Sequence, residues 1–598
     1  MTKITMRGVF QPHLLAAAIA LGISAQAHAV TFSIGEIEGQ FDSSLSVGAS
    51  WAVRGGDPEF ISNNNSTGRT GKTASRTSDD GRQNFKKGET FSKIFKGIHD
   101  LELKYGDSGV FVRGKYWYDF ELKDEHRLFY DIDDSGRDDL AKSSGAEFLD
   151  AFVYHNYSIG DLAGNARLGK QVVSWGESTF IGNSINTINP IDVSALRRPG
   201  AEVKEALIPV NLFYLSQGLS ENLNAEAFYQ LEWESSVVEN CGTFFAGDAT
   251  AKGCNDRNIG AGLDLAPGVS SNVGNPASDP LHINAFGPRV KDKEARDGGQ
   301  YGLALRWFVP ELNDTELGAY VMNYHSRSPV LTPVRARIAG GLNQIRSAAY
   351  FFDYPEDIRL YGLSFQTNVG GTSLGGEVSY RPNMPLGANT ADISSASTGN
   401  PNALLNRIGF SSATPGQASN GYKRMPVLQT QLSATQFYDQ VMGASRLTLV
   451  GEVGYNRING LGKADGTDVR FGRSTIFGVG VQPSSVTGSC LVAANSLGQE
   501  CNDKGFYTTD SWGYRARARL DYPNVFAGIN LAPSVAWSHD VDGFGPNFEE
   551  GLKAASVGLD ADYANTYTAS LSYTDFFGGD FNTNGDRDFV ALSFGVNF

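Results

Sequence analysis

Residues 586–598, DRDFVALSFGVNF, place Val590, Leu592, Phe594, Val596 and Phe598 on one face and Ala591, Ser593, Gly595 and Asn597 on the other. Alternation with period two makes a two-faced strand. The pattern recurs over 223–234, where Leu223, Ala225, Ala227, Tyr229, Leu231 and Trp233 face one way. Asn224, Glu226, Gln230, Glu232 and Glu234 face the other way. In 110–122 the apolar set is Val110, Val112, Tyr116, Tyr118 and Phe120, opposite Arg113, Lys115, Asp119 and Glu121. In 512–522 it is Trp512, Tyr514, Ala516, Ala518, Leu520 and Tyr522, opposite Arg515, Arg517, Arg519 and Asp521. Such strands suit a sandwich with its apolar face inside, or a barrel with that face in lipid.

The connections separate the two. Short links at 106–109, 160–164, 310–314, 370–371, 522–524 and 562–565 alternate with long ones. The long links lie near 54–89, 123–145, 176–206, 237–297, 327–354, 383–422 and 457–505. Short periplasmic turns and long extracellular loops mark a transmembrane barrel, whereas a sandwich has no reason for such alternation. The expected fold is therefore all-β, a closed antiparallel transmembrane β-barrel of about 18 strands (roughly 16–20). Trp51, Trp233, Trp512 and Tyr522, near strand ends, are expected in the interfacial aromatic girdles. The first strand is expected to begin near Glu38, which leaves no room before the barrel for a plug or passenger domain.

The N-terminus sets the compartment. Lys3 and Arg7 precede the apolar core Leu14 to Ile23, and AHA (Ala27 to Ala29) offers small residues for cleavage. Residues 1–29 are predicted to be a signal peptide, and 30–598 a single barrel in the outer membrane of a Gram-negative bacterium. The formal net charge of −15 makes nucleic acid a poor partner. The cysteines form two local pairs, Cys241 with Cys254 and Cys490 with Cys501. Beyond the inner membrane both are expected to be disulfides, and the local connectivity closes the shortest loops.

Charge gathers in one long link. INPIDVSALRRPGAEVKEALIPV (188–210) holds Asp192, Arg197, Arg198, Glu202, Lys204 and Glu205 between stiffening prolines. Asp192 is expected to cap a helical turn through Arg198, which Pro199-Gly200 ends. Folded inward, these charges would set a transverse field at a constriction; left outside, they would pair in a solvated loop. Arg113, Lys115, Arg446, Arg515, Arg517 and Arg519 are predicted to face the lumen. They would form a track for anionic solutes or pair with inward acids such as Glu226, Glu232, Glu234, Glu377 and Glu452.

Signals for other chemistry are weak. SWGEST (174–179) approaches a nucleophile elbow around Ser178, but Phe180 replaces the closing glycine. The histidines are scattered, so no enzyme activity is expected. Asp131-x-Asp133-x-Ser135-Gly136 and Asp580-x-Asn582-x-Asn584-Gly585 match half an EF-hand loop, but Lys142 and Ala591 stand where the bidentate glutamate belongs. Neither a metal nor a cofactor is expected.

The blocks GKQVVSWGEST (169–179), INPIDVSALRRPGAEVKEALIPVNLFYL (188–215), NLNAEAFYQLEWE (222–234) and DRDFVALSFGVNF (586–598) resemble a proteobacterial family of roughly 600-residue outer-membrane proteins catalogued as a domain of unknown function. The likeness extends over nearly the whole mature chain, with a more general resemblance to porin-type barrels. It implies an outer-membrane location beside lipid. Two roles are expected: a channel for small molecules narrowed by 176–206, or the outer-membrane part of a lipid or hydrophobic-compound exporter with periplasmic partner proteins.

Overall fold

The computed structural model describes residues 30–268, 285–411, 414–481 and 497–598. The predicted signal peptide lies outside them. Nineteen strands join in one sheet, of which Val30–Ile34 is a short leading strand and eighteen form the closed wall. In chain order the wall begins with β1 (Ile37–Ala52), β2 (Thr90–Tyr105), β3 (Ser108–Asp119), β4 (Ser144–Ile159), β5 (Leu162–Gln171) and β6 (Val210–Ser220). It continues through β7 (Leu223–Gln230), β8 (Tyr301–Val309), β9 (Thr315–Tyr324), β10 (Ile358–Val369), β11 (Thr372–Gly387) and β12 (Tyr422–Asp439). It ends with β13 (Arg446–Ile458), β14 (Asp510–Phe526), β15 (Ile529–Asp542), β16 (Lys553–Tyr563), β17 (Tyr567–Phe577) and β18 (Phe589–Asn597).

Each strand pairs antiparallel with its chain neighbours, and β18 returns to β1 from Ser44↔Asn597 to Ala52↔Phe589. Closure leaves no unpaired edge, as a hydrocarbon surround demands. The leading strand pairs with β1 from Val30↔Phe41 to Ile34↔Ile37, on the edge that β18 occupies further along. The alternation reads out as expected: Phe594 is 52 % exposed on the outer face, while its neighbour Ser593 is buried inside.

Turns of two to six residues gather at one end and long loops at the other. One predicted turn moves. YPN (522–524) continues β14, with a register shift between Tyr522 and Phe526 that accommodates Pro523. The chain reverses instead at Ala527-Gly528, with φ of 50° and 85°, the left-handed pair that a tight hairpin requires. Trp233 is also corrected. It lies just past β7 and is 9 % exposed, stacked edge-on against Tyr354 with Nε1 donating to the Ser326 carbonyl. Loops cover it, so it belongs to no outer girdle; Trp512 does stand exposed on the outer face.

The long-loop end carries its own structure. The loop after β7 holds the Cys241–Cys254 disulfide, with Cα atoms 6.3 Å apart. Cys490 lies outside the described residues, so the second pairing does too. The loop after β9 contains a hairpin of Val330–Val334 with Ala349–Asp353. Both half-EF-hand stretches are turns: Asp133 accepts from Ser135 N–H at 3.0 Å and Asn582 from Asn584 N–H at 2.8 Å.

Candidate functional site: a loop held on both walls

Residues 172–209, between β5 and β6, leave the barrel rim and bind inward-facing side chains of the wall. Their first half lies on strands β7 to β13. Trp175 is 1 % exposed and packs on Phe228 and Tyr320, while its Nε1 donates to Glu226 at 2.7 Å. Val173, Ile185 and Ile188 join it in a core with inner-face residues of the wall, including Leu212, Tyr320 and Leu360. An inner face lined by apolar residues is stable only under cover, and this half of the loop provides it.

Beyond Trp175 the backbone amides of the chain find carboxylates. Glu452 on β13 accepts from the N–H groups of Thr179 at 3.0 Å, Phe180 at 2.6 Å and Ile181 at 2.7 Å. Glu377 on β11 accepts from Glu177 N–H at 2.5 Å and Ile185 N–H at 3.3 Å. Between them, Gln429 and Gln431 on β12 donate to the carbonyls of Gly182 and Ile181 at 2.9 and 3.1 Å. Charge-assisted bonds of this kind are the stronger class, and here they meet otherwise orphaned backbone groups. Glu377 and Glu452 were expected as acid partners of the arginine ladder; they serve the loop instead.

The second half turns to the opposite wall. Its base is clasped by Ile208 N–H to Pro190 O at 2.8 Å and Asp192 N–H to Ala206 O at 2.9 Å. Asp192 caps the short helix Val193–Arg197 through a bond from Ala195 N–H; the helix ends one residue before the expected Arg198, which is extended, and Gly200 follows with a positive φ. Glu205 forms an ion pair with Lys96 on β2 at 2.5 Å and lies 3.5 Å from Lys115 on β3. Lys115 also stands 3.9 Å from Asp192. Glu202 accepts from Ser44 on β1 at 3.0 Å and pairs with Lys204 at the same distance. A Cβ at Gly48 on β1 would stand 2.8 Å from the Pro199 Cβ, so only glycine allows this approach.

The six charges of this stretch thus divide. Asp192 and Glu205 are buried against the wall lysines. Burial pushes the Asp192 carboxyl up, opposed by Lys115 and Arg198. Burial acts on Glu205 in the same sense, but Lys115 and Lys96 outweigh it and hold that carboxyl below its usual value. Arg197 turns away to Glu239 at 2.6 Å, and Arg198 lies over Trp117 while donating to the Leu140 and Lys142 carbonyls. In the first half, Glu177 is pushed up to about 7 by burial, helped by Glu316 and Glu377 and opposed by Arg306.

The wall arginines behave differently from one another. Arg113 is spent on Asp100 at 2.7 Å and Asp150 at 3.2 Å. Lys115 faces inward as expected, but as an anchor of the loop. Arg446 pairs with Asp439 at 3.2 Å, Arg515 with Asp540 at 2.6 Å and Arg519 with Asp521 at 2.9 Å. Arg517 is exposed and has no ion-pair partner among the described residues. Toward the short-turn end the lumen opens into cavities of about 1130 Å³ beside Arg306 and Glu316, and about 570 Å³ beside Arg519 and Asp560.

Sequence reasoning missed Lys96, Gln429 and Gln431 as partners of the loop. Lys96 stands on the inner face between Ile94 and Ile98, where the alternation that exposes inward charges elsewhere is lost.

Comparison with known proteins gives three results. The sequence model of the family described as "Protein of unknown function (DUF1302)" matches residues 11–598. No curated protein matches the chain. Among solved structures it is similar to Acinetobacter baumannii OccAB1, at 10 % identity and TM-score 0.40, over 96 % of this chain and 99 % of that one. It is also similar to the outer membrane channel DcaP of Acinetobacter baumannii, at 10 % identity and TM-score 0.34, over 96 % and 100 % of the two chains. A third is Pseudomonas aeruginosa OpdK with vanillate, at 12 % identity and TM-score 0.37, over 93 % and 98 %.

Proposed function

The chain belongs to the DUF1302 family, and from that premise we propose that it is an outer-membrane channel for small molecules, narrowed by the loop 172–209. One observation carries this reading. Glu205 of the loop binds Lys96 on β2, and Glu177 of the same loop binds Glu377 on β11. These strands are nine apart in a wall of eighteen, which puts the two anchorages on opposite sides of the lumen. A loop held at both ends of a diameter reduces the open section. The nine long loops then lie outside the cell and the short turns in the periplasm.

Arg517 is the wall cation that favours an anionic solute, because it is exposed and the cations beside it are paired. A second reading, export of lipid or a hydrophobic compound with periplasmic partners, is favoured by the apolar side chains that the loop leaves uncovered. Val203 is 90 % exposed, Leu196 50 % and Phe180 41 %. Deleting residues 190–205 is the test. Single-channel conductance in planar bilayers should rise; unchanged conductance sinks the constriction, and bound lipid in the purified barrel favours export.

A further inference from the structure

Four aspartates lie fully buried where the loop after β1 meets the loop after β7. Asp79 and Asp80 come from the first loop, Asp248 and Asp264 from the second, and none is more than 1 % exposed. None belongs to the two aspartate-rich stretches that resemble half an EF-hand. One carboxylate oxygen from each of Asp79, Asp80 and Asp264 lies within 4.8 Å of the others. Calcium binds oxygen at about 2.3–2.6 Å, so two ligands across one ion stand up to about 5 Å apart. The spacing fits a shared ion.

The hydrogen bonds leave a specific remainder. Asp79 Oδ2 accepts from Ser62 N–H at 2.9 Å and from the Gln83 amide at 3.1 Å. Asp248 Oδ2 accepts from the N–H groups of Asp79 at 2.8 Å and Asp80 at 3.2 Å. Both carboxylates are thereby fixed in orientation, yet Asp79 Oδ1 and Asp248 Oδ1 are buried with no hydrogen-bond partner. Buried carboxylate oxygens left in that condition are costly and call for a counter-charge. Arg257 supplies one, bound to Asp80 at 2.6 Å and Asp264 at 3.0 Å. Arg82 is already committed to Asp586 at 2.8 Å. Arg76 also faces Asp264 and Asp79, and Arg587 faces Asp248, so the shortfall of positive charge lies at Asp79, Asp80 and Asp264, which Arg257 and Arg76 share.

We propose that Asp79, Asp80 and Asp264 form a binding site for a hard divalent cation of the calcium class, held between the loop after β1 and the loop after β7. The partnerless Oδ1 of Asp79 is its primary ligand, the hydrogen bonds to Oδ2 orient that carboxylate, and Asp248 holds the backbone of Asp79 and Asp80 in place. The ion's role is to fasten the two loops to each other. They already meet at Asp248 N–H to Thr77 O at 3.2 Å and Asp264 N–H to Asn64 O at 2.9 Å. The site stands whether or not the barrel conducts.

Terbium, a luminescent stand-in for calcium, tests the site in the purified full-length barrel after chelation. The Tyr130 hydroxyl donates to Asp80 at 2.6 Å, so its ring is placed to sensitise a bound lanthanide. Tyrosine-sensitised terbium emission should appear and be displaced by calcium with a Kd below about 1 mM, the weak end of extracellular calcium sites. Tyr130→Phe should abolish the emission. Asp79→Asn with Asp264→Asn should move the Kd above that value while the barrel keeps its heat-modifiable mobility in a gel. Should that double variant fail to fold, Asp79→Asn alone is read the same way. Emission that persists in Tyr130→Phe, or no calcium binding by the wild-type barrel up to millimolar concentrations, overturns the proposal.

Discussion

Lys96 and Glu205 form an ion pair of 2.5 Å in which each side chain is 2 % exposed, although 109 positions separate them in the chain. One belongs to the wall and the other to the loop that lies on it. Removing one partner of a buried pair costs about 3–5 kcal/mol when the survivor is left without compensation, and here Lys115, 3.5 Å from Glu205, keeps part of it. Lys96→Met should therefore free the second half of the loop and raise single-channel conductance, with a lower unfolding temperature. Lys96→Met combined with Glu205→Met should not recover the stability, because it also takes from buried Lys115 its partner at 3.5 Å. A single variant with wild-type conductance and unfolding temperature would show that the pair holds nothing in place.

The close approach at Gly48 gives a second test on the same wall. Gly48→Val forces Pro199 away, since a Cβ there would already stand 2.8 Å from the Pro199 Cβ. The expected result is increased conductance with the barrel intact by circular dichroism. Overpacking of this kind typically costs about 1–3 kcal/mol, which the loop can relieve by lifting.

The arginines should separate by partner. Arg517→Gln should shift the reversal potential under a salt gradient toward lower anion preference. Arg515→Gln should do less to selectivity and more to stability, because it strands Asp540, now 2.6 Å from the guanidinium. Equal shifts in both variants would mean that the ladder acts as a unit.

Glu177 predicts a pH dependence. Its carboxyl is pushed up to about 7 in the docked loop, chiefly by burial, with Glu316 and Glu377 repelling the charged form and Arg306 attracting it. A free glutamate titrates near about 4.3, so docking favours the protonated form. That stabilisation is full below about pH 4.3, declines as pH rises, and is gone above about 7. Loop-opening events in single-channel records should become more frequent across that window. In Glu177→Gln the dependence should flatten; an unchanged pH profile in that variant would exclude Glu177 as its source.

The wall was legible in the sequence because its physics is local. Period-two alternation, tight turns and long loops follow from lipid outside and closure by hydrogen bonding, and Val590 to Phe598 displays all but the loops. The site was legible in part. Asp192 as a cap and Gly200 as the stop of Val193–Arg197 follow from neighbours in sequence. The roles of Glu377 and Glu452 do not, because their partners are backbone N–H groups, which every non-proline residue carries. Ile94 and Ile98 hid Lys96 for a related reason. Where the loop covers the wall, the inner face becomes a core, apolar residues occupy both faces, and the alternation that identifies a strand disappears. Trp233 erred the opposite way, since its period outlasts the strand that produced it.

The seam between β1 and β18 has a consequence for biogenesis. It joins Ser44 to Asn597, on the first and last strands of the wall, and so carries the largest loop-closure cost of any pairing in the wall. The loop 172–209 is synthesised long before β11 to β13, which hold its first half, and before β18, whose Ser593 faces Gly200. The loop thus ties strands from distant parts of the chain to one another, and a wall that closes at this seam closes around it.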